Sequence, residues 1–261
     1  GGTSLGRPYQ GGSYSVSRDG SIAFTQSEPD YPAEVALAAP GAPSATRLTQ
    51  LNAGLFADRM LARTEHLVFK SSFDDQQIDA WIVTPPDFDP ARKYPLVLEI
   101  HGGPFANYGN RFAMEIQLYA AAGYVVVYTN PRGSTGYGEA FTDLIDHNYP
   151  SQGDFQDLMS GVDHVISRGS IDPRRLFVTG GSGGGILTAW VVGKTGRFAA
   201  AVAQKPVINW YSFALTSDGY NYFSEYWFSG PPWKTSETAD YLARSPLSLV
   251  GNVTTPTMLL T

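Results

Sequence analysis

Cysteine is absent from this chain of 261 residues. Its absence excludes disulfide bonds, thiolate nucleophiles and metal sites with cysteine ligands. It does not indicate a cellular compartment, because a protein without disulfides is compatible with reducing and oxidising surroundings alike. Any reactive group must therefore be an oxygen or nitrogen group.

Basic charge is also in short supply. The 18 Lys and Arg residues are outnumbered by 24 Asp and Glu residues, which gives a net charge of −6, and the basic residues form no run. Nucleic-acid binding normally requires Lys and Arg clustered on one face. The composition therefore predicts no nucleic-acid partner.

Long apolar segments are missing as well. No apolar stretch approaches the ~18 residues of a membrane span, so no membrane partner is predicted. The first residues, Gly1 to Leu5, do not combine a basic segment with an apolar one, and no signal peptide is visible. The localisation is left open between the cytoplasm and a periplasmic or secreted destination, and the oligomeric state is not indicated.

Short strands joined by turns are predicted from residue 11 to about residue 50. Tyr14 and Val16 alternate with serines, Arg18-Asp19-Gly20 is typical of a tight turn, and Ile22 to Thr25 forms the returning strand. Two more short strands are predicted at Glu34 to Leu37 and Arg47 to Leu51. Four such strands in ~40–45 residues make one blade of a β-propeller, which is not stable alone.

The pattern changes near residue 66, where short apolar strands begin to alternate with helices. Runs that are apolar on both faces are typical of a parallel sheet covered by helices on each side. Strands are predicted at 66–69, 78–83, 96–100, 124–129, 176–179, 198–203 and 257–260, and helices at 113–122, 155–166 and 186–190. This order predicts an α/β fold with a doubly wound, mostly parallel sheet. Because the last strand is followed by Thr261 alone, we expect the domain to be interrupted there.

The strand at 176–179 leads into Gly180-Gly181-Ser182-Gly183-Gly184-Gly185, which contains Gly-x-Ser-x-Gly. Between a strand and a helix, this motif is typical of a nucleophile elbow, a strained turn that lifts the serine hydroxyl above the sheet. The other interpretation is a flexible glycine and serine turn. The context favours Ser182 as a nucleophile on a strained turn, with Gly183 opening the helix.

A second motif, His101-Gly102-Gly103-Pro104, directly follows the strand at 96–100. Acyl transfer requires N–H donors where the oxyanion forms, one from the residue after the nucleophile and one from the loop after an earlier strand. Gly183 and Gly103 are predicted to supply them and to converge on a position near Ser182. His101 could instead bind a metal or be a buried structural histidine. The other histidines are not spaced as metal ligands are, and the chain contains no complete phosphate-binding loop motif. No metal and no cofactor are therefore predicted.

Taken together, these and further motifs resemble the prolyl oligopeptidase family of serine peptidases, in particular its acylaminoacyl-peptidase branch. The similar strings are His101-Gly102-Gly103-Pro104, the segment Asn130 to Gly138, Gly153-Asp154 with Asp157, the serine elbow, Gly230-Pro231-Pro232-Trp233 and Ser245-Pro246-Leu247. The resemblance implies that residues 1–65 are the remnant of a last propeller blade with a linker. It implies that residues 66–261 are an α/β-hydrolase catalytic domain, truncated before the acid and base of its triad.

The chain departs from the family pattern at three places. His101 stands where the oligopeptidase and dipeptidyl-peptidase branches have a tyrosine. Gly183 stands where the family usually has a tyrosine or another aromatic residue, which makes one wall of the specificity pocket smaller. No histidine follows Ser182, although the family order is serine, aspartate, histidine. The resemblance therefore implies an aspartate within about ten residues after Thr261 and a histidine further on, and we expect the present chain by itself to be inert.

The resemblance also suggests residues that face substrate. It implies that Val207, Trp210 and Phe213 line an apolar pocket for the side chain before the scissile bond. Most of the ten aromatic residues between Trp210 and Trp233 are predicted to form a packed core instead. Arg132 is expected to bind an acidic partner such as Asp154 rather than substrate.

The function predicted from the sequence is a serine peptidase that hydrolyses short peptides through an acyl-enzyme on Ser182. A carboxylesterase or lipase on the same fold is an alternative, because an elbow and an oxyanion loop serve any acyl transfer. A non-catalytic binding protein that retained the fold is a second alternative. The propeller-like amino-terminal segment favours the peptidase.

Overall fold

The computed structural model describes residues 13–261, which divide into two compact units. The first unit comprises the described residues up to Glu65 together with Val83–Phe88 and Tyr108–Tyr124. The second unit comprises His66–Ile82, Asp89–Asn107 and Val125–Thr261. Within residues 13–261, none of the helices combines the length and the apolar character needed to cross a bilayer.

The first unit contains a four-stranded antiparallel sheet in which the strands lie side by side in chain order. Its strands are β1 (Tyr14–Val16), β2 (Ile22–Glu28), β3 (Tyr31–Ala38) and β4 (Thr46–Arg47). The predicted tight turn is present, and Gly20, at φ +84°, donates its amide to the carbonyl of Ser17. The unit also contains the helices α1 (Ala53–Phe56) and α2 (Met114–Ala121).

The prediction of a strand from Arg47 to Leu51 is wrong after its first residue. The amide of Val35 donates to the Thr49 hydroxyl at 2.9 Å, and that hydroxyl also bonds Glu34. The Val35 amide of β3 is therefore bound by a side chain instead of by a backbone carbonyl. The pairing of β3 with β4 ends there, and the chain continues into α1.

The second unit is organised around a seven-stranded sheet. Its strands are β5 (Arg63–Lys70), β6 (Gln77–Thr84), β7 (Tyr94–Ile100), β8 (Val125–Asn130), β9 (Ile171–Gly181), β10 (Ala200–Gln204) and β11 (Thr257–Leu260). Their order across the sheet is β11-β10-β9-β7-β8-β6-β5, and the pairs β8 with β7, β7 with β9, β9 with β10 and β10 with β11 are parallel. The α/β fold with a mostly parallel sheet is confirmed.

Helices connect these strands. They are α3 (Glu139–Thr142), α4 (Gln152–Ser167), α5 (Gly183–Lys194), α6 (Trp210–Thr216), α7 (Tyr220–Tyr226) and α8 (Thr235–Ala243), with short 3₁₀ helices at Asp143–Ile145 and Pro246–Asn252. α4 packs on β8 and β9, and α5 packs on β7, β9 and β10. All six residues of β8 and five consecutive residues at the end of β7 are buried, as strands covered by helices should be.

Several elements begin earlier than the sequence pattern indicates, and the structure gives the reason for β9 and α4. β9 starts at Ile171 rather than Leu176, because Ile171 pairs with Tyr94 before an irregularity in the ladder that contains Pro173. α4 starts at Gln152 rather than Phe155, because Ser151 caps it by accepting hydrogen bonds from the amides of Gly153 and Asp154. Strands β7 and β9 are parallel neighbours, so their carboxyl ends lie at the same edge of the sheet, and Ser182 directly follows β9 there.

Candidate active site

Ser182 lies at the tip of a strand-to-helix turn. β9 ends at Gly181, α5 begins at Gly183, and Ser182 between them has φ +56° and ψ −116°. A positive φ is strained for a residue with a side chain, and such strain is concentrated at functional sites. Ser182 is exposed, and its backbone is held by hydrogen bonds to Gln204 O (2.8 Å) and from Ile186 N (2.9 Å). The predicted strained turn is confirmed.

The glycines around Ser182 allow the turn to pack against the ends of neighbouring strands. A Cβ at Gly180 or Gly184 would lie 2.6 Å or 2.0 Å from the carbonyl oxygen of Ile100, the last residue of β7. A Cβ at Gly185 would lie 2.4 Å from the carbonyl oxygen of Gln204 at the end of β10. Since backbone atoms cannot move aside as a flexible side chain can, these three positions exclude every residue except glycine.

Gly183 is in direct contact with the loop after β7. A Cβ at Gly183 would lie 2.7–2.9 Å from the oxygen, carbonyl carbon and nitrogen of Gly103, which has φ +117°. A side chain at position 183 would therefore require the Gly103 backbone to shift. The same contact brings the two amides assigned to the oxyanion hole close together.

Both amides are available as donors. The Gly103 amide donates to no residue of 13–261, and Gly183 opens α5, where the first amides of a helix have no intrahelical acceptor. Gly102 is adjacent to the nucleophile, since a Cβ on it would lie 3.5 Å from the Ser182 Cβ. That the amides of Gly103 and Gly183 converge on one oxyanion stays a prediction.

None of the histidines near the sheet edge bonds to the nucleophile. The Ser182 hydroxyl makes no hydrogen bond with any residue in the described part of the chain. His101 is buried, with Nδ1 2.6 Å from the Gly102 carbonyl and Nε2 2.9 Å from the Ser134 hydroxyl. His147 Nδ1 lies 2.6 Å from Phe228 O, and His164 stacks on Phe69 at 5.9 Å.

Arg132 has acidic partners, but Asp154 is not one of them. Its guanidinium, 4% exposed, binds both carboxylate oxygens of Asp157 at 2.9 Å and also binds Asp74 at 3.0 and 3.2 Å. A Cβ at Gly153 would come within 2.7 Å of the guanidinium. The expectation that Arg132 binds acidic groups is confirmed, whereas the choice of Asp154 is wrong.

Asp154 instead closes a capping box with Ser151. One carboxylate oxygen accepts from the Ser151 amide and hydroxyl, each at 2.7 Å, while the other has no hydrogen-bond partner within residues 13–261. Asp154 is fully buried, and burial raises its pKa to about 7 against the opposing effect of Ser151.

This buried carboxyl gives a pH dependence of stability. The folded chain holds the proton up to about pH 7, whereas the unfolded chain releases it near pH 4, so its contribution to the free energy of unfolding declines as pH rises between those values. We expect the unfolding free energy of the parent chain, relative to Asp154→Asn, to fall by about 1 kcal/mol per pH unit in that window. Denaturant titration at a series of pH values measures it.

Asp172→Asn is the control for that measurement. The pKa of Asp172 is lowered, mainly by the backbone amide of Arg174, so its titration lies below this window. The same comparison with Asp172→Asn should be flat between about pH 4 and pH 7. A difference for Asp154→Asn that is constant, or that rises with pH, would contradict the prediction.

The three residues predicted to line the specificity pocket differ in burial. Trp210 is completely buried and packs edge-on against Trp227 and Phe228, with ring centroids 5.3 and 5.7 Å away. Phe213 and Val207 are half-buried. Trp210 thus belongs to the aromatic core that the sequence predicted for most of this segment, and its pocket-lining role stays a prediction.

The sequence analysis did not assign Tyr149 or Trp227 to the site, although both lie next to it. Trp227 lies against Phe105, which follows the His-Gly-Gly-Pro motif, at a centroid distance of 6.2 Å, and against Tyr149 at 5.7 Å. Tyr149 in turn bonds to the Gly183 carbonyl. Neither position carries a motif, and the only available signal was the aromatic richness of the segment around Trp227.

A separate cavity of about 540 Å³ contains none of the catalytic, oxyanion or substrate-binding residues predicted from the sequence. Its lining includes His147, Tyr220, Glu225, Phe228 and Trp233, and neither Ser182 nor Val207, Trp210 or Phe213 contributes to it. Its volume is within the range of small-molecule sites. Because this cavity does not include Ser182, it is not part of the candidate catalytic site, which consists of Ser182 and the neighbouring glycine amides at the carboxyl end of β9.

Known proteins are similar to this chain in sequence and in fold. The profile of the prolyl oligopeptidase family matches residues 110–261. The uncharacterized peptidase YuxL of Bacillus subtilis (strain 168) is 38% identical over 89% of this chain and 35% of its own length. Acylamino-acid-releasing enzyme 1 of Oryza sativa subsp. japonica is 33% identical over 64% of this chain and 22% of its own length. The chain thus spans about a third or less of these relatives.

Among solved structures, the acylaminoacyl peptidase of Pyrococcus horikoshii is similar over 98% of this chain and 40% of its own, with a TM-score of 0.85 and 28% identity. A structure of acylaminoacyl peptidase in complex with Z-Gly-Gly-Phe-chloromethyl ketone covers 97% of this chain and 40% of its own, with the same TM-score of 0.85 and identity of 28%.

Proposed function

The chain belongs to the prolyl oligopeptidase family, and from that premise we propose that the full-length protein is a serine peptidase that cleaves short peptides. The observation that carries the proposal is the geometry at Ser182. An exposed serine at φ +56° ends a parallel strand, with the backbones of Gly183 and Gly103 in contact beside it. This geometry supports acyl transfer, which needs an accessible nucleophile and N–H donors close to it.

In this mechanism the Ser182 oxygen attacks the carbonyl carbon of the scissile bond. The amides of Gly103 and Gly183 bind the oxyanion that forms, and the amine leaves as the acyl-enzyme is made. Water then attacks the ester and releases the acid. The family order places the acid and the base after the nucleophile, and no histidine follows Ser182 in this chain, so the proton transfer is assigned to none of its residues.

We propose that peptides are the substrates and that the side chain before the scissile bond lies against Val207 and Phe213, with Trp210 behind them. The similar acylaminoacyl peptidase in complex with Z-Gly-Gly-Phe-chloromethyl ketone supports a peptide-like ligand at this fold. The sheet β1–β4 supports a propeller blade at residues 1–65, which in the full-length protein would restrict entry to short peptides. Burying one apolar side chain in such a pocket is worth about 1.5–3 kcal/mol.

The test compares amide and ester hydrolysis by the full-length protein. We expect N-acetyl-phenylalanyl anilide and short blocked peptides to be cleaved, and a fluorophosphonate to label the peptide that contains Ser182. Cleavage of short-chain nitrophenyl esters without any amide cleavage would support the esterase instead. Absence of both activities and of the label would indicate a non-catalytic protein.

A further inference from the structure

Tyr149 reaches the nucleophile turn from the loop that precedes α4. Its hydroxyl donates to the carbonyl oxygen of Gly183 at 3.1 Å, and the residue is 1% exposed. It is therefore a buried side chain outside β9 and α5 that binds the backbone of the residue directly after Ser182.

The turn needs such a contact because α5 begins with three glycines. Gly183, Gly184 and Gly185 have no side chains to restrict their backbone, and glycine adopts more conformations than any other residue. The peptide plane before Gly183 is held by the bond from the Ile186 amide to the Ser182 carbonyl, 2.9 Å. The plane after Gly183 contains the carbonyl that Tyr149 binds.

Tyr149 is itself held firmly. Its carbonyl oxygen accepts a hydrogen bond from Nη1 of Arg244 at 3.2 Å, and Arg244 is paired with Asp240. Its ring lies 5.7 Å from that of Trp227, which contacts Phe105 in the oxyanion loop. Burial raises the pKa of the Tyr149 hydroxyl far above its ordinary value, so it stays a hydrogen-bond donor throughout the working pH range.

We propose that Tyr149 is a positioning residue for the oxyanion hole. Its hydroxyl fixes the peptide plane that follows Gly183. Because the plane before Gly183, which contains the Gly183 amide, is joined to it by only two backbone torsions, fixing the second plane limits the directions that this amide can take toward the oxyanion. The inference rests on the proposed function, in which that amide stabilises the tetrahedral intermediate. Tyr149 makes no hydrogen bond with the Ser182 hydroxyl within residues 13–261, and its role is exerted through Gly183.

The test uses Tyr149→Phe in the full-length protein, which removes the hydroxyl and keeps the ring. We expect kcat for peptide cleavage to fall about tenfold, less than the 10²–10³ typical of deleting an oxyanion donor, with KM changed less than about twofold. Affinity for a peptide aldehyde, which forms a tetrahedral adduct with the nucleophile, should fall by the same factor as kcat. Affinity for the cleavage product should not change.

Tyr241→Phe is the matched control. Tyr241 is also completely buried, and its hydroxyl makes two hydrogen bonds of 3.0 Å, with Ser224 and Gly230, away from the turn. We expect it to lower the unfolding temperature about as much as Tyr149→Phe does and to leave kcat unchanged. Tyr149→4-aminophenylalanine keeps a donor in place and should restore kcat to within about threefold of the parent, whether or not Tyr149→Phe folds.

Three results would overturn the inference. They are a Tyr149→Phe enzyme with kcat within twofold of the parent, an equal loss of kcat in Tyr149→Phe and Tyr241→Phe, and a Tyr149→4-aminophenylalanine enzyme as slow as Tyr149→Phe. A parent protein that cleaves no peptide and takes up no fluorophosphonate at Ser182 would refute the proposed function and this inference together. Measuring the parent first separates the two failures.

Discussion

Replacing Ser182 with alanine is expected to abolish peptide cleavage by the full-length protein. The loss in kcat should be at least a thousandfold, roughly 4 kcal/mol of transition-state stabilisation, because no other group can form the acyl-enzyme. The fold should be unaffected. Ser182 is exposed, and its hydroxyl makes no hydrogen bond within residues 13–261. Alanine adopts φ +56° at about the same conformational cost as serine, because both residues carry a Cβ. Turnover and thermal unfolding measured on the same preparation check both parts.

Ser236→Ala is the control for that substitution. Ser236 is an exposed serine in α8 whose hydroxyl, among the residues that the structure describes, bonds to Glu237 alone, and its loss should change neither turnover nor unfolding temperature. A Ser182→Ala protein with turnover near that of the parent would remove Ser182 from the mechanism. An inactive but unfolded Ser182→Ala protein would contradict the expectation for stability.

Replacing Gly184 with alanine is expected to have the largest effect on folding. The added Cβ would lie 2.0 Å from the carbonyl oxygen of Ile100 and 2.8 Å from its carbonyl carbon. Both are backbone atoms in the centre of the sheet, so the strand or the helix has to shift. We expect a loss of more than about 3 kcal/mol in the free energy of unfolding, or no soluble protein. Denaturant titration or the soluble yield measures it.

The neighbouring Gly181→Ala provides the comparison. A Cβ at Gly181 meets only the Cβ of Gln204 at 4.0 Å, an ordinary contact, and this glycine does not have a positive φ. We expect that substitution to change stability by less than about 1 kcal/mol. Equal stability of the Gly184→Ala and Gly181→Ala proteins would show that the turn does not pack against β7 as described.

The nucleophile turn could be predicted because its signals are local. The apolar residues of β9 end at two glycines, one serine follows, and three glycines open the next helix, so strand, turn and helix are visible in one short segment. Strands β7 and β8 could be predicted equally well, because short runs of apolar residues bounded by Pro and Gly are typical of buried strands, and the last five residues of β7 and all of β8 are buried.

The partners of these elements were less predictable. Asp154 and Asp157 stand three residues apart, and the start of α4 decides which of them meets Arg132. Because Ser151 caps the helix, Asp154 becomes its third residue and bonds the cap, which leaves Asp157, one turn later, to bind the guanidinium. The Ser-x-x-Asp spacing at 151–154 carried that information.

Tyr149 could not have been found by the same reasoning. It has no motif, and it reaches Gly183 only because β9, α4 and the loop between β8 and α4 pack in three dimensions. The same holds for Trp227 and Phe105, which lie 122 positions apart in the sequence and are neighbours through the packing of two loops.

The strand order of the large sheet also determines when each strand can pair while the chain is being synthesised on the ribosome. Tyr94 in β7 pairs with Ile171 in β9, 77 positions further along the chain, whereas the β8 partner of Leu96 is Val125. At about 5–20 residues per second, β7 emerges roughly 4–15 s before β9 can join it. During that interval β6 can already cover the other side of β8, but the side of β7 that β9 will occupy is unpaired, and an unpaired strand is a template for association between nascent chains. The strand that carries the nucleophile is thus also the strand that closes this edge.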